Sequence, residues 1–254
     1  YDGTNYVGWQ VQPNGTSVQS IVTRASEQLT GAAVKLIAAG RTDAGVHALG
    51  QVANFHTEST IPCEKMRAGL QSFLPEDVVV RDVADVPDDF HATYSACKKR
   101  YRYVIHNSRV SDPFTRRYAW RIGAKLDRAA MQDAAQTLLG THDFRCFESQ
   151  FPNKATSVRT VLEATVARTN VWRLWDADEN CSAPASGAGD YIWFDIVADG
   201  FLYNMVRAIV GTLVKVGLGK WTAADVRGII EQQDRGLAGE TAPPQGLYLV
   251  RVDY

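Results

Sequence analysis

Residues 33–56, AVKLIAAGRTDAGVHALGQVANFH, place a glycine-bounded turn between two candidate strands. The apolar run at residues 33–39 predicts a short buried strand, and Gln51 to His56 predict the next. The turn between them holds the Asp43 carboxylate close to the Arg41 guanidinium. Catalytic side chains are often carried by loops on a rigid scaffold. Asp43 is therefore a candidate nucleophile, and the alternative is an aspartate that only caps its own loop.

Length and composition indicate an ordinary globular protein. The chain has 254 residues, of which 45% are hydrophobic and 22% charged, enough for one large domain or two smaller ones. Its four cysteines lie far apart without a Cys-x-x-Cys pair, which argues against a zinc site or a disulfide framework. No apolar stretch approaches the ~20 residues that span a bilayer, and no signal peptide is evident. We therefore expect a soluble, cytoplasmic protein.

The charge balance excludes a general polyanion binder, because 27 basic residues face 28 acidic ones. Any nucleic-acid surface must be local, and the segment KKRYRYVI at residues 98–105 is the best candidate. In a strand, Tyr101 and Tyr103 would share one face and Arg100 and Arg102 the other. Aromatic rings that stack bases and guanidiniums that hold phosphates are typical of single-stranded RNA recognition. A solvated charged face is the structural alternative.

Helical and strand-like periodicities alternate in irregular order, which indicates an α+β fold. A capping box formed by Thr16 and Gln19 predicts a helix that ends at Gly31. The pattern predicts further helices at residues 63–73, 126–139 and 223–232. It predicts strands at residues 78–83, 99–106 and 247–252, and a hairpin of residues 160–171 with 191–197. The connector at residues 176–189 has a composition typical of a mobile loop.

Arg207 is the second informative residue. It lies in the apolar run at residues 201–216, which predicts a largely buried helix, and an arginine there needs a partner. A structural salt bridge or a snorkelling side chain is one interpretation. The other is an ion pair that keeps the Asp43 carboxylate ionised, as a carboxylate nucleophile requires. Spacing alone leaves both open.

Six collinear motifs resemble the tRNA pseudouridine synthase A family, and they run from the first residue of the chain almost to the last. They are YDGT (residues 1–4) with GWQ (8–10), GRTDAGVH (40–47), DFHA (89–92), RYRY (100–103), Phe201 with MVR (205–207), and GLYL (246–249).

The resemblance implies a pseudouridine synthase fold, in which two ferredoxin-like α/β halves surround a central, mostly antiparallel sheet with a cleft between them. We expect residues 1–106 to form the half that carries the catalytic aspartate loop, and residues 107–254 to complete the RNA-binding cleft. The family implies a homodimer that isomerises uridine to pseudouridine at positions 38 to 40 in the anticodon stem-loop of tRNA, without a cofactor or a metal.

Residue by residue, Asp43 resembles the family's catalytic aspartate and Tyr101 the tyrosine that stacks on the target uracil. Arg207 resembles the arginine that pairs with the aspartate, and Arg41 the residue that helps to hold the flipped-out nucleotide. The target base must leave its stack before it can react. Whether Asp43 attacks C1′ of the ribose or C6 of the uracil stays open.

Two other classes of function remain as alternatives. A catalytically silent RNA-binding module would keep the basic and aromatic strand without needing Asp43. A small-molecule hydrolase could use Asp43 as nucleophile, but the basic and aromatic strand would then be superfluous.

The chain also departs from the family pattern in two places. It starts at Tyr1 inside the expected first strand, which suggests a missing N-terminal segment, and its loop at residues 176–189 is longer than the short turn expected.

Overall fold

The computed structural model describes residues 1–149, 156–170 and 189–254. The chain divides into two compact units, which we call unit 1 (Tyr1–Cys97 with Val252–Tyr254) and unit 2 (Lys98–Arg251). Within the described residues, no helix is long and apolar enough to cross a membrane. The predicted loop at residues 176–189 lies outside the described residues except for Gly189.

Unit 1 contains two helices and three very short strands. The helices are α1 (Val18–Thr30) and α2 (Cys63–Phe73), and the strands are β1 (Ile37–Ala38), β2 (His47–Ala48) and β3 (Ala53–Asn54). Strands β1 and β3 pair in antiparallel fashion. The two strands predicted on either side of the turn are therefore present, but each is only two residues long.

The strand predicted at residues 78–83 is wrong, because that segment forms neither a strand nor a helix. The side chain of Gln71 replaces the neighbouring strand. It donates to the Val78 carbonyl (3.1 Å) and accepts from the Val80 N–H (3.0 Å). Buried backbone groups need partners, and here one amide side chain supplies two of them.

The predicted capping box of α1 is also wrong. Ser17, and not Thr16, is the N-cap, and its hydroxyl accepts from the Ser20 N–H at 3.1 Å. The Gln19 side chain instead bonds two backbone groups outside the helix. The predicted end at Gly31 is confirmed, because this residue has φ +72° and its N–H closes the last turn.

The core of unit 1 joins the start of the chain to both helices. Tyr6 and Trp9 pack with Val18 of α1 and with Leu36, while Ala25 of α1 packs with α2. Trp9, which bonds the Asp43 loop, and Leu36, which precedes it in the chain, therefore belong to a packed scaffold. The prediction of a catalytic loop on a rigid scaffold requires such packing.

Unit 2 is built on an antiparallel sheet. Its strands are β4 (Lys98–His106), β5 (Trp120–Arg121), β6 (Gly140–Asp143), β7 (Val158–Thr169), β8 (Tyr191–Ala198) and β9 (Leu247–Asp253), whose last residues belong to unit 1. The order is β9-β4-β8-β7-β6, with β5 beside β4. Pairs β4/β8, β7/β8 and β6/β7 are antiparallel, and β5 is parallel to β4. This confirms the predicted α+β class, the mostly antiparallel sheet and the β7/β8 hairpin.

The described residues of unit 2 also form three α-helices: α3 (Arg128–Gln136), α4 (Met205–Gly217) and α5 (Ala223–Gln232). The predicted burial of α4 is confirmed, since only Arg207 and Lys215 along it are half-buried and the rest are buried. Helix α4 starts later than predicted because Asn204 before it has a left-handed backbone, with φ +61°. Helix α3 also starts later than predicted, because the Asp127 side chain caps it.

Candidate active site

The Asp43 loop in unit 1 is fixed through its backbone. The Trp9 N–H donates to the Thr42 carbonyl at 3.0 Å, and Gly8 forms an antiparallel bridge with Asp43. The Val46 N–H donates to the Asp43 carbonyl at 3.1 Å and closes the turn. These contacts hold Asp43 from both sides, so its position does not depend on its own side chain.

Two glycines allow the chain to approach this loop closely. Gly8 has φ +108°, and a Cβ there would lie 2.6 Å from the Thr42 carbonyl oxygen. A Cβ at Gly3 would lie 2.0 Å from the Val46 carbonyl oxygen. Both separations are far below a normal contact, so a residue with a Cβ at either position would force the loop to shift.

Side chains fix the two ends of the turn. The Thr42 hydroxyl bonds the Tyr1 hydroxyl at 2.7 Å, and burial raises the pKa of Tyr1 to about 12. Nδ1 of the buried His47 accepts from the Gly3 N–H at 3.0 Å and lies 3.1 Å from an Asp2 carboxylate oxygen. His47 therefore has a structural role in this loop.

The loop alternates buried and accessible residues. Thr42 and Val46 are buried, whereas Asp43 is half-buried and Arg41 is exposed. A carboxylate and a guanidinium are thus presented on a rigid turn, which is the arrangement that the sequence predicted within this unit. Such a turn can bring a carboxylate to a substrate without rearrangement of the chain.

Tyr101 and Tyr103 lie on one face of β4 in unit 2, as the alternation predicted. Tyr101 is 8% exposed, and its ring meets Phe201 edge-on, with 4.8 Å between centroids. Tyr103 is fully buried and its hydroxyl donates to the Pro243 carbonyl at 2.7 Å. Burial raises the pKa of Tyr103, and the nearby charge of Arg207 acts in the opposite direction.

Arg207 is held in one orientation by groups of its own unit. Its Nε donates to the Ala242 carbonyl and its Nη1 to the Asn204 side-chain oxygen, both at 2.7 Å. The Asn204 amide in turn donates to the Ser149 hydroxyl at 2.7 Å. Arg207 is half-buried on a helix that is otherwise almost wholly buried. Its pairing with Asp43 stays a prediction.

The interpretation of the β4 arginines as phosphate ligands is wrong for Arg102. This residue is 3% exposed, and its Nε and Nη2 bind both carboxylate oxygens of Asp195 on β8 at 2.7 Å. The guanidinium also lies 4.2 Å from the ring centroid of Trp193. Arg100 pairs with Glu163 on β7 at 2.7 Å. Both arginines therefore make ion pairs across the sheet.

Sequence reasoning missed Gly8 and Asn204, which orient Asp43 and Arg207. Asn204 carried a detectable signal, since asparagine is one of the few residues that adopt a left-handed backbone before a helix. The only sequence signal for Gly8 is its position in the GWQ motif. Among the residues that the structure describes, no group of three or more His, Cys, Asp or Glu side chains could hold a metal ion.

The structure is that of a mixed α+β protein, with a half-buried aspartate, Asp43, in one unit and an oriented arginine, Arg207, in the other. The sequence profile of the family described as tRNA pseudouridine synthase matches residues 1–95 and 134–254. The chain belongs to this family.

Three relatives named tRNA pseudouridine synthase A are similar over the whole of this chain and 96% of their own length. The proteins from Thermoanaerobacter sp. (strain X514) and Acetivibrio thermocellus are each 47% identical over 254 residues. The protein from Moorella thermoacetica is 44% identical over 256 residues.

Proposed function

We propose that this protein isomerises uridine to pseudouridine in tRNA, at positions 38 to 40 of the anticodon stem-loop, with Asp43 as the nucleophile. The family match includes Arg41, Asp43 and Arg207. Tyr101 falls between the two matched segments, but the full-length similarity to the relatives covers it.

The observation that carries the proposal is the placement of Asp43. Asp43 is half-buried and not fully enclosed, while the backbone around it is fixed by the bridge to Gly8 and the bond from Trp9. A covalent nucleophile needs this combination of access and fixed position. An RNA-binding module that does no chemistry would have no use for it.

The reaction is an isomerisation that needs no net electron transfer. The N1–C1′ bond of the uridine breaks, the detached uracil turns, and a C5–C1′ bond forms; C5 loses its hydrogen as a proton and N1 takes up a proton. The uracil must stay in the site between the two steps, which requires exclusion of water. Asp43 would attack C1′ or C6, and both choices fit this balance.

The other residues have supporting roles in the proposal. Tyr101 stacks on the target uracil, and Arg41, exposed on the same turn as Asp43, holds the flipped-out nucleotide. Arg207 pairs with Asp43 and keeps it ionised. The fixed orientation of Arg207 between Ala242 and Asn204 supports this role, since a pre-oriented guanidinium loses little freedom on pairing.

The resemblance also supports a larger arrangement. We include in the proposal two ferredoxin-like halves, residues 1–106 and 107–254, an RNA cleft that both halves line, and a homodimer that works in the cytoplasm without cofactor or metal.

Tritium release tests the proposal directly. tRNA transcripts that contain uridine labelled with tritium at C5 should lose the label to water when the wild-type protein turns over. Asp43→Ala and the isosteric Asp43→Asn should both lower the rate by about 10³-fold or more, because no other group replaces a covalent nucleophile.

Asp85→Ala is the matched control, because Asp85 is an exposed carboxylate of the same unit. It should retain the wild-type rate. Activity that survives in Asp43→Ala would overturn the assignment of Asp43 as the nucleophile. A wild-type protein that binds tRNA and releases no tritium would instead favour the RNA-binding module.

A further inference from the structure

The turn at residues 89–95 presents an organised pair of aromatic rings. Tyr94 is 84% exposed, and its ring lies against the half-buried His91, with 4.2 Å between centroids and 30° between planes. An isolated exposed aromatic residue needs no explanation. A ring held in place by a second ring does, because its exposed face is then presented to solvent in a defined orientation.

Side-chain hydrogen bonds hold the backbone of this turn. Nδ1 of His91 accepts from the N–H groups of Thr93 (3.2 Å) and Tyr94 (3.3 Å). The buried Ala92 between them has its carbonyl bound by the Tyr254 hydroxyl at 2.9 Å. The His91 ring therefore fixes the backbone of Tyr94 and also supports its side chain.

The turn is attached to the strand that leads into the Asp43 loop. The Thr93 hydroxyl donates to the Ala38 carbonyl at 2.6 Å, and the Ala92 N–H donates to the Asn54 side chain at 2.9 Å. Ala38 ends β1 and lies five residues before Asp43. The turn that carries the ring pair is therefore bonded to the strand that leads into the Asp43 loop.

We propose that the Tyr94 ring, supported by His91, is a stacking platform for an unpaired nucleotide of the tRNA that neighbours the target uridine. This rests on the proposed function. Exposed tyrosine rings bind unstacked bases of any identity, because every base has a flat π-face. Holding the ring before the RNA arrives reduces the loss of freedom on binding.

The charge around the platform indicates contact with a base and not with the phosphate backbone. Asp88 and Asp89 are exposed immediately before the turn and disfavour a phosphate there. The nucleotide should therefore approach with its base over Tyr94 and its phosphate on the far side. Stacking of this kind releases few counterions, so its strength should depend little on salt.

Binding and turnover of an unmodified anticodon stem-loop RNA by Tyr94 variants test the platform. Tyr94→Ala should raise Kd and KM by about 5- to 150-fold, the range for loss of one stacked base, and leave kcat within about twofold. Tyr94→Phe should keep wild-type values, because it keeps the ring. His91→Ala should give a smaller loss, because Tyr94 remains but is no longer held.

Phe73→Ala is the matched control, because Phe73 is an aromatic residue of the same unit, 46% exposed at the end of α2. It should leave Kd unchanged. The ratio of Kd between Tyr94→Ala and wild type should stay constant from 50 to 200 mM salt, whereas Arg41→Ala should reduce the salt dependence itself.

The outcomes separate this inference from the proposed function. A wild-type protein that forms no pseudouridine contradicts the function. A wild-type protein that forms pseudouridine, with a Tyr94→Ala variant of unchanged Kd and KM, overturns the platform alone. A loss in Tyr94→Ala that appears only in kcat also overturns it, since stacking outside the reacting nucleotide acts on binding.

Discussion

Replacement of Gly8 by alanine should impair catalysis, although it leaves every side chain of the Asp43 loop unchanged. The added methyl group would lie 2.6 Å from the Thr42 carbonyl oxygen and 3.1 Å from the Asp43 carbonyl carbon. Ordinary contacts begin at 3.4 Å, so the loop would have to move by about 0.8 Å. A misplacement of this size can reduce turnover by up to about 100-fold. We expect kcat of Gly8→Ala to fall by about 10- to 100-fold.

The same change should also reduce stability. Gly8 has φ +108°, and a residue with a Cβ in the left-handed region costs about 1–2 kcal/mol. Accommodation of the methyl group against backbone adds roughly 1 kcal/mol. A total of about 2–3 kcal/mol corresponds to a fall in Tm of roughly 5–10 °C.

Gly31→Ala separates these two effects. Gly31 has φ +72°, and a Cβ there would meet no atom within 4 Å. This variant should lose about 1 kcal/mol of stability through backbone strain alone and keep the wild-type kcat. The assay is tritium release at saturating tRNA, well below the Tm of either variant. A kcat of Gly8→Ala within twofold of that of Gly31→Ala would refute the claim that Gly8 positions Asp43.

The remaining predictions concern the two oriented arginines of unit 2. Arg102→Leu should destabilise the protein by about 2–3 kcal/mol in urea unfolding, because it leaves Asp195 without its bidentate partner at a site only 19% exposed. A further Asp195→Leu change should recover part of that loss, and a single variant as stable as wild type would contradict the ion pair's structural role. Asn204→Gly keeps the left-handed backbone but removes the acceptor for Arg207 Nη1 and the donor to the Ser149 hydroxyl. We expect kcat to fall by about 10-fold and the free energy of unfolding to fall by about 2 kcal/mol, because both hydrogen bonds are lost. Unchanged kcat would show that Asn204 does not orient Arg207 for the reaction.

Elements with strong local signals could be predicted from the sequence. Helices α2 and α5 have the bounds that periodicity gave, residues 63–73 and 223–232. Pro62 marks the start of α2, and a capping box of Thr222 and Asp225 marks the start of α5. Strand β4 and the β7/β8 hairpin could also be predicted from the sequence. Their residues alternate over a long stretch, and two such strands joined by one connector most simply pair with each other.

Elements that depend on distant partners could not be predicted. The segment at residues 78–83 has the composition of a strand, but the side chain of Gln71, and not a neighbouring strand, bonds its backbone at Val78 and Val80. Thr16 and Ser17 are both of residue types that cap helices, with serine moderately preferred. The structure selects Ser17 because the Thr16 carbonyl is already bound by the Val7 N–H.

The arginines show the same limit at the level of the site. Arg41 and Asp43 were identified because they lie in one short motif, and the structure places both accessibly on one turn. The partner of Arg102 is Asp195, which lies 93 positions along the chain. Only the register of β4 against β8 brings the two together, and no pattern in the sequence reveals that register. The basic run at residues 98–102 therefore predicts an RNA surface, although its Arg102 forms an ion pair with the neighbouring strand.

The motif at residues 40–47 serves mainly to hold one carboxylate. Gly45 supplies the left-handed residue of the turn with φ +75°, Val46 is buried in the scaffold, and His47 accepts from Gly3. Of its charged or ionisable members, Arg41 is exposed and Asp43 is half-buried, whereas His47 is buried. Loss of activity on substitution elsewhere in the motif is therefore not evidence of a chemical role. Only a variant that keeps its stability and its tRNA affinity while losing turnover identifies a residue that acts on the reacting atoms, and Asp43→Asn is the change that meets this standard most strictly.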